Sequence, residues 1–135
     1  MRIAFGTDDA TPVTNDIKAD LAALGHEVIV VADPKRWAEA GRAVGEEVAS
    51  GRADVGIVFC FTGTGVSIAA NKVPGVRAAL CSDVETARDS RRWNDANVLA
   101  MSLRTTTVEL GHDIIDAFLD AGPDGTEADQ IALLA

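Results

Sequence analysis

The sequence predicts an α/β fold in which a parallel five-stranded sheet is covered by helices on both faces. Short runs of β-branched and other apolar residues alternate with longer segments of helical pattern along the whole chain. The short runs are almost continuously apolar, which is typical of strands buried on both faces. Strands that alternate with helices form parallel sheets through right-handed crossovers, so we expect a three-layer, Rossmann-like sandwich.

The predicted strands are all short. They are RIAF (2–5), EVIVV (27–31), VGIVF (55–59), VRAAL (76–80) and NVLAM (97–101). Helices are predicted around Ile17, Leu21 and Leu24, then over residues 36–50, 64–72, 83–92, 106–121 and, briefly, 126–134. The i, i+4, i+7 spacing supports the first helix, and glycine or Pro-Gly residues mark the ends of several others.

Length and composition indicate one domain, residues 1–135, that is large enough to bury its own core. The net charge of −9 argues against nucleic acid or an anionic membrane as the main partner. No segment approaches the roughly 20 apolar residues of a membrane helix, and the acidic start does not fit a signal peptide. Two cysteines, Cys60 and Cys81, are interpreted as reduced thiols. The predicted location is the cytoplasm.

Ligands of open parallel sheets bind at the carboxyl ends of the strands. This rule selects the loops GTDDAT, CFTGTG, CSD and SLRTT, which follow predicted strands one, three, four and five. The glycine loop is the most informative of them, with Gly63 and Gly65 among Thr62, Thr64 and Ser67. Its N–H groups can face inward at a helix start and bind a phosphate or a reaction oxyanion. The alternative is an ordinary turn from strand to helix.

Side chains in and beside these loops could carry chemistry. Cys60, next to the helix start, could act as a nucleophile or as a base that moves a carbon-bound proton, or it could be a small buried hydrophobe. Asp8 and Asp9 could bind sugar hydroxyls, shuttle protons, ligate a metal or cap the next segment. No His or Cys cluster accompanies them, so we expect no zinc site. Trp93 could stack on a sugar or lie in the core or an interface.

The order of these motifs resembles a known family. A G-x-D near the start, a glycine-threonine loop running into SIAANKVPGVRAALCSD, then NDANVLAM and an arginine resemble the type B ribose-5-phosphate isomerases and the related galactose-6-phosphate isomerase subunits. The resemblance covers nearly the whole chain. It implies a homodimer, in some members a tetramer, with an active site between subunits that needs no metal or cofactor. It also implies aldose–ketose isomerisation through a cis-enediolate.

The resemblance assigns the proton-transfer apparatus to the glycine loop. Cys60 would be the base that shuttles a proton between C1 and C2, and Thr62 would assist the thiol. The amides from Phe61 to Gly65 would form the anion hole for the enediolate. Asp8 would hold a substrate hydroxyl. The catalytic set is thus Cys60, Thr62 and Asp8.

The resemblance also implies a substrate-binding set. Asn94 would hold hydroxyls, and Arg104 would contribute to the phosphate site. The residues expected to contact substrate are Asp9, Phe61, Gly63, Thr64, Gly65, Ser67, Trp93, Asn94 and Arg104.

The chain departs from the family pattern at five positions. Asp9 stands where the family usually has histidine, and Trp93 stands where a histidine opens the furanose ring. Phe61 replaces the glycine after the catalytic cysteine. The two C-terminal phosphate-binding arginines would align near Thr126 and Gln130. The proton-transfer part is therefore kept, whereas the ring-opening and phosphate-holding parts are lost.

These departures predict an isomerase, or a related enediol-forming epimerase, for a small polyol carbonyl or sugar (phosphate) other than ribose 5-phosphate. The substrate would be short or acyclic, and either unphosphorylated or held by Arg88, Arg91 or Arg104. Asp9 would replace the missing histidine or bind a hydroxyl. The alternative is a non-catalytic ligand-binding or partner subunit of the same fold.

Overall fold

A computed structural model describes residues 1–134 and shows the predicted α/β architecture. The strands are β1 (Arg2–Thr7), β2 (Glu27–Ala32), β3 (Val55–Cys60), β4 (Ala78–Leu80) and β5 (Val98–Ser102). They form one sheet in the order β2-β1-β3-β5-β4, and every neighbouring pair is parallel. The predicted fold class is confirmed.

The helices cover both faces of this sheet. They are α1 (Pro12–Ala23), α2 (Trp37–Ala49), α3 (Thr64–Asn71), α4 (Val84–Asn94), α5 (Val108–Asp120) and α6 (Ala128–Ala132). Side chains cap three of their amino ends: the oxygens of Thr11, Asp83 and Thr107 each accept a backbone N–H from the first turn. Such caps satisfy donors that the helix itself leaves unpaired. None of the helices described here is long and apolar enough to cross a membrane.

Two element boundaries differ from the sequence prediction for local reasons. The strand predicted from Val76 begins at Ala78, because the Val76 N–H donates to Val73 and the Arg77 N–H to the Asn97 side chain. Leu24, predicted on the apolar face of the first helix, lies just after the end of α1 and is exposed.

The core is divided between the two faces of the sheet. One cluster joins β1, β3 and β5 to α1, α4 and α5, and the other joins them to α2 and α3. Side chains alternate along β3, so Val55, Ile57 and Phe59 enter the first cluster while Val58 and Cys60 enter the second. The thiol of Cys60 therefore lies on the α2/α3 side.

The strand order locates a crevice at the carboxyl ends of the strands. From β1 the chain moves outward to β2, and from β2 it crosses back to β3 on the other side of β1. Such a reversal opens a crevice between the carboxyl ends of the two strands, here β1 and β3. Asp8 follows β1, and the loop that begins at Phe61 follows β3.

Candidate active site

A cleft of about 270 Å³ opens at this crevice. Its lining residues are Asp8, Trp37, Cys60, Phe61, Thr62, Thr64 and Gly65. The structure thus brings together the three predicted catalytic residues and three of the predicted binding residues. A larger groove of about 630 Å³ lies between α4 and α5, among surface arginines and aspartates. It holds none of the predicted catalytic groups, so size alone does not locate the site.

Cys60 is the last residue of β3 and is only 4% exposed. The backbone N–H of Gly63, just before α3, donates to its Sγ at 3.2 Å. Gly63 adopts a φ of 79°, a left-handed conformation that glycine adopts without strain. The turn therefore directs the positive end of α3 and one N–H donor at the sulfur.

The rest of the glycine loop is held by its own hydroxyls. The Oγ1 atoms of Thr62 and Thr64 are 2.8 Å apart, and the Thr64 N–H donates weakly to Thr62 Oγ1 at 3.4 Å. The Ser67 N–H donates to the Gly63 carbonyl at 3.2 Å. Ser67 is not among the residues that line the cleft. The hydroxyl of Thr62 thus bonds its own loop, and its assistance to the thiol stays a prediction.

Asp8 connects the loop after β1 to β3, since its N–H donates to the Phe59 carbonyl at 3.1 Å. Partial burial, and secondly the charge of Asp9, raise the pKa of the Asp8 carboxyl, although the N–H groups of Asp8 and Phe61 oppose the rise. Asp9 itself is exposed, and its backbone bonds the Thr7 hydroxyl. Asp9 therefore acts on the cleft through its charge and does not line it.

Arg104 lies beside the cleft and is paired with Phe61. The Phe61 carbonyl accepts the Arg104 N–H at 3.0 Å and the Ser102 hydroxyl at 2.9 Å. The Arg104 guanidinium carbon is 5.4 Å from the centroid of the Phe61 ring, a cation–π arrangement. The aromatic ring of Phe61 thus holds a cation at the carboxyl ends of the strands.

Trp93 and Asn94 end α4, immediately before β5, and so lie at the amino edge of the sheet. Asn94 lines a separate depression with Arg77 and Ala96. Trp93 is 44% exposed, and the Arg92 guanidinium carbon lies 5.6 Å from the centroid of its ring. Trp93 is therefore not a core residue. Within one chain the structure does not bring either residue to Cys60.

Other expected anion-binding positions have different contacts. Arg91 donates to the carbonyls of Ala96 and Ala121 and stacks on Phe118, and burial lowers the pKa of its guanidinium. Arg88 pairs with Glu85 on the surface of α4. Neither arginine lines the Cys60 cleft, so the expectation that they hold the substrate anion is not supported.

The C-terminal segment also lies apart from the cleft. Thr126 bonds Asp124 through its N–H and hydroxyl, and Gln130 is an exposed residue of α6. Within residues 1–134, no group of three or more His, Cys, Asp or Glu side chains is arranged to hold a metal ion.

Trp37 is the lining residue that the sequence reasoning missed. It opens α2, away from the strand-end loops that the topology rule selects. A Cβ built on Gly65 would lie 2.7 Å from Trp37 Cε3, so the indole rests directly on the backbone of the glycine loop. The sequence feature that indicates Trp37 is the four-residue spacing of Trp37, Gly41 and Gly45, which places all three on one helix face.

Comparison with known proteins gives a consistent result. A family model described as Ribose/Galactose Isomerase matches residues 3–133. The chain is 41% identical to the galactose-6-phosphate isomerase subunit LacB of Clostridium acetobutylicum over 135 residues, which cover 96% of this chain and 78% of the relative. It is 41% identical to ribose-5-phosphate isomerase B of Escherichia coli over 132 residues, covering 92% of this chain and 87% of that protein.

A solved structure and a more distant relative extend this comparison. Ribose-5-phosphate isomerase B of Clostridium thermocellum matches with a TM-score of 0.94 at 40% identity, covering 99% of this chain and 95% of that one. D-erythrulose-4-phosphate isomerase 2 of Mycolicibacterium smegmatis is 34% identical over 127 residues, covering 88% of this chain and 84% of the relative.

Proposed function

Because the chain belongs to the ribose/galactose isomerase family, which comprises cofactor-independent aldose–ketose isomerases of sugar phosphates, we propose that it acts through a cis-enediolate on a substrate other than ribose 5-phosphate. One observation carries the proposal: the Cys60 thiol accepts an N–H from the glycine loop at 3.2 Å, inside a cleft that also holds a carboxyl group. A base and backbone amides are the two parts that an enolisation requires.

In this mechanism the Cys60 thiolate removes the proton from the carbon next to the substrate carbonyl. The electron pair of that C–H bond forms the C=C bond, and the carbonyl oxygen becomes the enediolate oxygen. Those N–H groups of the loop from Phe61 to Gly65 that are not bonded to Asp8, Cys60 or Thr62 stabilise the developing charge. Cys60 then returns the proton to the neighbouring carbon, which converts aldose to ketose.

Asp8 supports the transfer of the hydroxyl proton. It lines the same cleft, and because its pKa is raised, its protonated form is more populated than that of a fully solvated aspartate at the same pH. A carboxyl group in this state can donate to one oxygen of the enediolate and accept from the other. Asp9 adds negative charge nearby and maintains this state.

The substrate we propose is a four-carbon sugar phosphate. A tetrose or tetrulose whose O4 carries phosphate cannot close a furanose ring, so it needs no ring-opening histidine, and Trp93 stands at that position. The relative from M. smegmatis is named for a four-carbon substrate of this kind.

The phosphate of the substrate needs a cation other than the two C-terminal arginines of the family pattern. Charge-assisted hydrogen bonds contribute about 1.5–3 kcal/mol each, so without a replacement cation any sugar phosphate would bind more weakly by orders of magnitude. Arg104, stacked on Phe61, is the cation that we assign to the substrate anion.

We further propose that the single domain works as a homodimer, or a tetramer, in the cytoplasm. Trp93 and Asn94 are exposed at the edge of the sheet opposite Cys60. They reach a substrate at Cys60 when the site of one chain is completed by its neighbour.

The test is a screen of tetrose, pentose and hexose phosphates, and of the unphosphorylated sugars, in D₂O. Proton NMR should show deuterium entering at C1 or C2 of the true substrate, even where net conversion is small. The Cys60→Ala variant should lose this exchange. Turnover of ribose 5-phosphate as fast as that of E. coli ribose-5-phosphate isomerase B would contradict the proposed substrate, and exchange that persists in Cys60→Ala would contradict the mechanism.

The second candidate is a partner subunit of a hetero-oligomeric isomerase. The 41% identity to LacB, which is named as a subunit, favours it, as does the acid at position 9. This candidate predicts no deuterium exchange by the purified chain with any sugar, together with a stable complex with a homologous chain in size-exclusion chromatography.

A further inference from the structure

The position of Trp37 is fixed by close packing of α2 on α3. Gly41 and Gly45 lie one and two helical turns after it on the same face of α2. A Cβ on Gly41 would lie 2.7 Å from both Ala69 Cβ and the Val66 carbonyl oxygen, and one on Gly45 would lie 3.0 Å from Val73 Cγ2. The two helices therefore approach as closely as their backbones permit. We call Trp37, Gly41 and Gly45 the α2 stripe.

Trp37 is the end of the α2 stripe that reaches the cleft. Its indole replaces the missing side chain of Gly65, with Cε3 and Cδ2 at 2.7 and 3.0 Å from the position a Cβ would take. The residue is 46% exposed and lines the cleft with Cys60 and Asp8. Since α2 is held against α3, the backbone of Trp37 has a fixed position relative to the glycine loop.

Phe61 lines the same cleft and is 61% exposed. Its backbone is bound by Ser102 and Arg104 through the hydrogen bonds described above. The space for the carbon chain of a substrate whose C1–C2 bond lies at Cys60 is therefore bounded by two large aromatic groups. One of them, Trp37, stands on a helix whose backbone is fixed by its packing on α3.

We propose that Trp37 is a specificity-determining residue that sets the length of the substrate. Its indole packs against the carbon chain of a four-carbon sugar phosphate and occupies the space that a fifth carbon needs. This inference rests on the proposed function and deepens it, because it assigns the choice of chain length to one side chain of the same site.

The test compares Trp37→Ala with Trp37→Phe, which keeps an aromatic wall. Arg42→Ala is the matched control, because Arg42 lies on the exposed face of the same helix. The quantity measured is the ratio of kcat/KM for D-erythrose 4-phosphate to that for D-ribose 5-phosphate. Pockets distinguish substrates that differ by one carbon by about 10- to 200-fold in kcat/KM. Trp37→Ala should therefore lower the ratio at least about tenfold. Trp37→Phe should lower it less, and Arg42→Ala should leave it unchanged.

A binding measurement separates this inference from the proposed function. The chain has two tryptophans, so the emission of Trp37 is read as the difference between the spectra of the parent chain and of Trp37→Phe. Titration with erythritol 4-phosphate, which cannot enolise, should change this emission at lower concentration than titration with ribitol 5-phosphate. If the protein turned over none of the sugars but bound erythritol 4-phosphate more tightly than ribitol 5-phosphate, the role of Trp37 would stand and the proposed reaction would be refuted. An unchanged kcat/KM ratio in a folded Trp37→Ala variant, or equal responses to the two alditol phosphates, would overturn the inference.

Discussion

The two cysteines lie at equivalent places in the sheet but in different surroundings. Cys60 ends β3 and Cys81 directly follows β4, and both are buried at the carboxyl end of a strand. The sulfur of Cys60 accepts the Gly63 N–H and faces a cleft. Cys81 instead lies in the cluster with α4 and α5, and its Sγ donates to the Ala79 carbonyl at 3.8 Å.

The difference shows that a strand-end position does not by itself make a thiol useful. Burial raises the pKa of Cys81 to about 11, which leaves it a neutral thiol under physiological conditions. What distinguishes Cys60 is the glycine turn that aims a helix amino end at the sulfur. The following predictions test that distinction, from the largest expected effect to the smallest.

Replacement of each thiol by a methyl group should separate the two sites most clearly. Cys60→Ala should lower kcat/KM on the true substrate by about 10²- to 10⁴-fold, the usual contribution of a positioned base. Cys81→Ala removes only a packing group and should keep the activity of the parent chain. Steady-state kinetics on both folded variants checks this, and equal losses would show that the comparison of the two cysteines is wrong.

Alkylation should follow the same order without any need for a substrate. In the native protein, iodoacetamide should modify Cys60 and leave Cys81 unmodified, because the thiolate is the reacting species and only Cys60 opens to a cleft. Peptide mass spectrometry after brief labelling measures both sites. Labelling in denaturant is the control and should modify both cysteines; faster native labelling of Cys81 would contradict the prediction.

The glycine turn can be tested through stability. Gly63→Ala should cost about 1–3 kcal/mol for the left-handed backbone. Steric overlap should lower the stability of Gly63→Ala further, because the new Cβ would lie 2.9 Å from the Met101 carbonyl carbon. Gly51→Ala is the matched control, because Gly51 has the same φ of 79° with nothing within 4 Å. Urea unfolding should show a larger loss for Gly63→Ala; equal losses would mean that the loop yields without strain.

Replacement of Asp8 should give the smallest effect, and it should stabilise the protein where Gly63→Ala destabilises it. The pKa of the Asp8 carboxyl is raised in the folded state, so over this pH range the folded protein binds more protons than the unfolded chain. The free energy of unfolding therefore falls as the pH rises from the ordinary aspartate range through the raised pKa. Asp8→Asn should therefore raise the melting temperature slightly at pH 8, and less at pH 5. Asp16→Asn, at an exposed position of α1, is the control. A lowered melting temperature at pH 8 would contradict the prediction.

Most of the fold could be predicted from sequence because its strands are short, apolar and separated by helical segments. Element boundaries were less predictable where side chains compete for backbone groups. The Asn97 carboxamide takes the Arg77 N–H, for example, and delays the start of β4. Nothing in a pattern of apolar residues reveals such a contact.

The candidate site divides in the same way. Asp8, Cys60 and the glycine loop could be brought together from the rule for parallel sheets alone, since each lies at or just after the carboxyl end of a strand. Trp37 could not, because it enters the cleft from a helix amino end through packing of α2 on α3. Trp93 and Asn94 were assigned by resemblance, and resemblance does not state which chain supplies a residue.

The α2 stripe has a consequence for how this protein could acquire another substrate. Trp37 stands at the end of α2 that reaches the cleft, so a shift of α2 on α3 would also move the cleft wall. An adaptive change at Gly41, in the interior and away from the cleft lining, would tilt α2 and move the indole. The selectivity of the enzyme could thus evolve through residues that no ligand ever touches.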